Sequence, residues 1–163
     1  MSTARRLATS STKTDAETDR KAFATLRFAG DDLDPADISA ILPIAPTRAH
    51  RKGEKFFAGP HAGPLRGRTG IWFLSTDKRV PSDDFGDHLE FMRTLLYPKP
   101  GDNSRIAALC SVLKRAHSRA RLTCFWRGDA DEAEPRIPAE FRSAIEKLGA
   151  DIETDFAVSE TAS

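Results

Sequence analysis

At 163 residues, with 39% hydrophobic and 30% charged side chains, the chain has the make-up of a soluble globular protein long enough to bury one core of ordinary size. Lysine and arginine number 25 against 24 aspartates and glutamates, a net charge of +1, so no global field draws it to nucleic acid or anionic lipid and any electrostatic function must come from a local patch. Two cysteines and four histidines show no metal-ligand spacing, and no apolar run approaches the ~18 residues of a membrane span, so no metal, no cofactor and no membrane are expected.

Residues 1–20 are rich in Ser, Thr and Ala, without apolar periodicity, and read as a disordered tail. Their start, MSTARRLATSSTKT, has an arginine pair but no apolar stretch, so it is not a secretory signal. Order is expected over 21–158, with a short tail at 159–163. KAFATLRFAG (21–30) alternates like a half-buried strand. A helix start follows, with Asp34 as N-cap, Pro35 in the first position and Asp37 in the third; Ile38, Ile41 and Leu42 form its apolar face and Pro43 stops it. From Pro43 to Thr69, four prolines and four glycines predict a long loop, a length that in a compact domain goes with either function or partial disorder.

GIWFLST (70–76) is apolar on both faces and reads as a central strand. Phe85, Leu89, Met92 and Leu96 mark a helical stripe over 85–96; PKPGDN interrupts it, and a second helix restarts near Ser104 with Ile106, Leu109, Cys110 and Leu113 inward. ARLTCFWRG (120–128) is a strand with Leu122, Cys124 and Trp126 on one face. An acidic loop leads to a helix opened by Pro138 in its first position, burying Phe141, Ile145 and Leu148 and closed by Gly149. DIETDFAV (151–158) is a last strand with an acidic face. LRFAGDDLDPADISAIL and TCFWRGDADEAEPRIPAEFRSAI share an order of strand, Gly-Asp, acidic linker and helix. The expected fold is therefore α+β: one domain, a mainly antiparallel sheet of four or more strands, helices on one face, in an order compatible with two strand–helix–strand halves.

The strand ending Gly-Asp-Asp, the D-P-x-x-I helix start, P-T-R-x-x-R-K-G (46–53), T-G-x-W (69–72) and C-F-W (124–126) together resemble the bacterial family known as domain of unknown function 4279, over roughly residues 22–157. The resemblance implies a single α+β bacterial domain and brings no catalytic residues with it. Leu42-Pro43 stands where a Leu-Gly helix end would match that pattern.

The most distinctive chemistry lies in the loop 46–70, where Arg48, Arg51, Lys52, Lys55, Arg66 and Arg68 face a single acid, Glu54. Thr47 and the amides around Gly53 can add donors for a phosphate, and Phe56, Phe57 or Trp72 can stack on bases, but no Walker pattern is present. The competing reading pairs Arg48 or Arg51 internally, with Asp31 and Asp32 or with the acidic strand at Glu153 and Asp155. Asp31, Asp32, Asp34 and Asp37 lack EF-hand spacing. His88 and Glu90, two residues apart on a helix, do not share a face, and His50 or His61 as a general base has no evident nucleophile.

The functional expectation is a cytoplasmic binding or adaptor module, immunity-like or regulatory, without catalysis, that engages a protein partner through the basic loop and sheet edge. The alternative is anion, nucleotide or nucleic-acid binding by the six basic residues of the loop, and a hydrolase-like enzyme is a distant third.

Overall fold

The structure is a computed structural model that describes residues 20–57 and 59–159. The expected tail over 1–20, save Arg20, and residues 160–163 of the expected C-terminal tail lie outside the described residues. In chain order the elements are β1 (Lys21–Gly30), α1 (Pro35–Ile41), β2 (Arg48–His50), β3 (Lys55–Phe57), β4 (Pro64–Arg66), β5 (Gly70–Ser75), α2 (Phe85–Leu96), α3 (Ser104–Arg115), β6 (Arg119–Gly128), α4 (Ala139–Lys147) and β7 (Asp151–Val158). The fold is α+β, with a mainly antiparallel five-stranded sheet and a separate two-stranded one.

Alternation along β1 buries Ala22, Ala24, Leu26 and Phe28, and along β6 it buries Ala120, Leu122, Cys124 and Trp126. Across the two strands the register sets Ala22 opposite Trp126 and Phe28 opposite Ala120, so each bulky ring faces a methyl group and the layer fills without overpacking. These side chains join the inner faces of all four helices in one hydrophobic cluster. Trp72 is fully buried, and its indole Nε1–H donates to Ser39 Oγ at 3.0 Å.

The strand order is β2-β5-β1-β6-β7. Strand β5 therefore does not lie at the centre, as its doubly apolar sequence predicts; β1 does, and β5 is flanked by β1 and the three-residue β2. The partly exposed positions of β5 are Ile71, Phe73 and Ser75, and Phe73 lies opposite Arg27 on one side and Arg48 on the other. Because β1 and β2 are both antiparallel to β5, they run in the same direction, so β1–α1–β2 is a strand–helix–strand crossover split by β5. The unit β6–α4–β7 is the unsplit version, with adjacent parallel strands. Both units thus run strand, helix, parallel strand, and they differ by one intercalated strand.

Local chemistry explains the boundaries. Asp34 Oδ1 accepts from Ala36 N at 3.0 Å to cap α1, and Asp84 Oδ1 accepts from Gly86 N at 2.8 Å to cap α2. Pro138 sits at the N-cap of α4, whose first helical residue is Ala139, one position later than the sequence predicts. Helices α3 and α4 end alike: Ser118 N donates to Leu113 O at 2.9 Å and Ala150 N to Ile145 O at 3.1 Å, the six-residue closure of a Schellman turn. The left-handed residue of that turn is Gly149 (φ 73°) in α4, as expected, but His117 (φ 51°) in α3.

Candidate functional site

The segment 43–69 is not a loop throughout. It contributes the edge strand β2, paired to β5, and then a hairpin in which Lys55, Phe56 and Phe57 pair with Arg66, Leu65 and Pro64. Gly53 N donates to Gly67 O at 2.7 Å and Gly67 N to Glu54 O at 2.9 Å, closing the base of the hairpin. Gly53 needs φ 83°, a conformation costly for any other residue. An isolated two-stranded hairpin is marginal, so a tertiary anchor is required. The His50 and Phe56 rings provide it, stacked at 4.4 Å and 3°. His50 is only 3% exposed, and its Nδ1 has no hydrogen-bond partner among the described residues.

The six basic residues divide by partner. Arg51 forks onto Asp34, Nε to Oδ1 at 3.2 Å and Nη2 to Oδ2 at 2.7 Å, and Lys52 Nζ reaches Asp31 Oδ2 at 3.1 Å. Arg48 makes no ion pair among the described residues; its guanidinium lies 6.0 Å from the Phe56 ring and 5.9 Å from the Phe73 ring. Arg66 Nη1 donates to Gly53 O at 3.2 Å, while Lys55 and Arg68 are exposed. The six do not converge on one cleft. Glu153 and Asp155 are matched instead by their β6 neighbours Arg121 (3.6 Å) and Arg127 (3.3 Å).

The four acids at the start of α1 each face a different basic side chain. Asp31 faces Lys52, Asp34 faces Arg51, Asp37 lies 3.5 Å from Arg115, and Asp32 lies 3.8 Å from His117. Hydrogen bonds from Lys52 and then Thr69 hold the Asp31 carboxyl below its ordinary value. Among the described residues no group of three or more His, Cys, Asp or Glu side chains is placed to hold a metal ion.

Two polar arrangements escape sequence reasoning. His88 is fully buried, with Nδ1 2.6 Å from Thr76 Oγ1 and Nε2 donating to Ser82 O at 2.7 Å, while Thr76 Oγ1 accepts from Ala24 N at 2.9 Å. This network ties α2 to the ends of β1 and β5. The second is a basic group on the sheet: Arg27 and Arg121 are direct cross-strand partners, and Arg119 shares their face one pair further along, opposite Ala29. The three lie on two strands far apart in sequence, so only the β1–β6 register reveals them.

No curated protein and no solved structure matches the chain. The family described as Domain of unknown function (DUF4279) matches residues 20–159, spanning the whole of the sheet and all four described helices. This chain belongs to the DUF4279 family.

Proposed function

We propose that the protein is a cytoplasmic bacterial binding module, without catalysis, that engages a protein partner through the β3–β4 hairpin and the adjoining β2 edge. The observation that carries this reading is the placement of exposed apolar groups. Of three large hydrophobic side chains exposed among the described residues, Phe57 (70%) and Leu65 (47%) both sit on the hairpin. Register puts Leu65 on the Phe56 face and Phe57 on the opposite one, so the arm offers an apolar contact to each side. Lys55, Arg66 and Arg68 surround them, which fits a partner with an acidic rim around an apolar groove. The free thiols of Cys110 and Cys124 are consistent with a reducing compartment. The alternation of buried and part-exposed residues in β1, β5 and β6 supports helices gathered on one face of the sheet, which leaves the other face available for contacts.

The alternative, phosphate or nucleic acid held by the loop 46–70, is weakened by the engagement of Arg51 and Lys52 with Asp34 and Asp31. A photo-crosslinking amino acid at position 57, compared in cells with one at Glu153, tests the proposal. A protein captured at position 57 alone is then purified and titrated. Phe57→Ala with Leu65→Ala should weaken its binding by roughly 100-fold or more, from about 1.5 kcal/mol or more per anchor. Unchanged affinity in the double variant, or equal capture at both positions, refutes the reading.

A further inference from the structure

We propose that Arg27, Arg119 and Arg121, with His117, form a binding site for a phosphate-type anion, independent of the hairpin. The site is a cleft of about 300 Å³ whose lining includes these four side chains and Asp151. Its floor is kept low by Ala29, which lies opposite Arg119 across β1 and β6.

Three observations converge on it. First, Arg27 and Arg121 are direct cross-strand partners, and like charges so placed destabilise a sheet. Second, neutralisation from within the chain is incomplete. Arg27 and Arg119 make no ion pair among the described residues, and Arg121 reaches only Glu153, at 3.6 Å between exposed groups. Asp151 is the one carboxylate in the lining, so the cleft keeps a surplus of positive charge that an anion can relieve. Third, His117 is the one non-glycine residue with positive φ among the described residues, although the matching turn of α4 uses glycine. Backbone strain retained where glycine would remove it places an imidazole at the edge of the cleft.

The ligand chemistry follows from the donors. Guanidinium groups present paired N–H donors that match the oxygens of a phosphate, and several of them together favour a dianion over a singly charged carboxylate. A free phosphate compound and the backbone of a single-stranded nucleic acid offer this same group.

Thermal unfolding and calorimetry of the full chain with sodium pyrophosphate, against sodium chloride of matched ionic strength, test the site. Saturable binding is expected, with Tm rising roughly 5–10 °C at 100 times Kd. Arg27→Gln with Arg119→Gln should abolish the shift, while Lys55→Gln with Arg66→Gln should leave it intact. Arg27→Gln alone should raise Tm without any anion, because it removes the cross-strand repulsion. A parallel titration with short oligothymidylates separates the sources: affinity that grows with length assigns the phosphate to a nucleic-acid strand, and a response to pyrophosphate alone assigns it to a small compound. No saturable shift with either probe, a shift that survives the Arg27/Arg119 variant, or one lost equally in the Lys55/Arg66 variant overturns the proposal.

Discussion

Replacing His117 with glycine should make the protein more stable, an unusual direction for a point mutation. At φ 51° the histidine occupies the left-handed region, which costs an L-residue roughly 1–2 kcal/mol. Glycine removes that strain but adds freedom to the unfolded chain, which returns about 0.5–1 kcal/mol of the gain. The side chain itself contributes little: it is 83% exposed, and its nearest acid, Asp32, stands 3.8 Å away with 72% exposure. A net gain of about 0.5–1 kcal/mol remains, read in urea as a higher midpoint at unchanged slope. Gly149→Ala is the mirror experiment. A Cβ at Gly149 meets nothing within 4 Å, so its cost is purely conformational and should be about 1 kcal/mol of destabilisation. His117→Ala keeps the strain and should match the parent chain. A His117→Gly protein no more stable than His117→Ala would refute the strain argument.

Three further outcomes are expected. His88→Leu should destabilise by about 1–3 kcal/mol in urea unfolding, because it leaves the part-buried Ser82 carbonyl without its donor, while Thr76 Oγ1 keeps only its contacts with the Ala24 backbone. Gly67→Ala should lift the hairpin, since its new Cβ would collide with the His50 ring and come 2.7 Å from Arg51 O; faster tryptic cleavage at Lys55 and Arg66 with little change in global stability is the signature. Burial pushes the Cys124 thiol from 9.0 up to about 12, so it should resist a thiol reagent at pH 8 until the chain unfolds. Because the folded state holds that proton more tightly, its contribution to stability is complete below pH 9 and is lost as pH rises toward 12.

The parts of this fold that can be read from sequence are those whose signal is local. Asp34-Pro35 announces a helix because capping and a fixed φ act within one turn, and the alternation in 21–30 and 120–128 is long enough to specify a buried face. Strands of three residues carry no such period. Lys-Phe-Phe and Pro-Leu-Arg become a hairpin only because Gly53 and Gly67 close its base and His50 supplies a ring for Phe56. The doubly apolar character of 70–76 misplaces β5 because Phe73 is covered by a neighbouring arginine, not by a second layer of core. The partner of Arg51 is hidden for another reason. Asp34 looks fully occupied as a helix cap, yet a carboxylate has lone pairs enough to serve Ala36 N and a guanidinium at once. The arginine group on β1 and β6 depends on register between distant strands, which no single-sequence pattern encodes.

The position of β1 bears on how the chain is made. It leaves the ribosome before the other described strands, yet one of its two neighbours, β6, is encoded only after β2 to β5 and three helices. Until β6 emerges, β1 and β5 form an open-edged pair whose large side chains, Phe28 and Trp72, have no complete cover. Productive folding is therefore deferred until β6 has been made, and a nascent chain stalled before Arg119 presents an apolar, unpaired strand to whatever chaperone or protease is at hand.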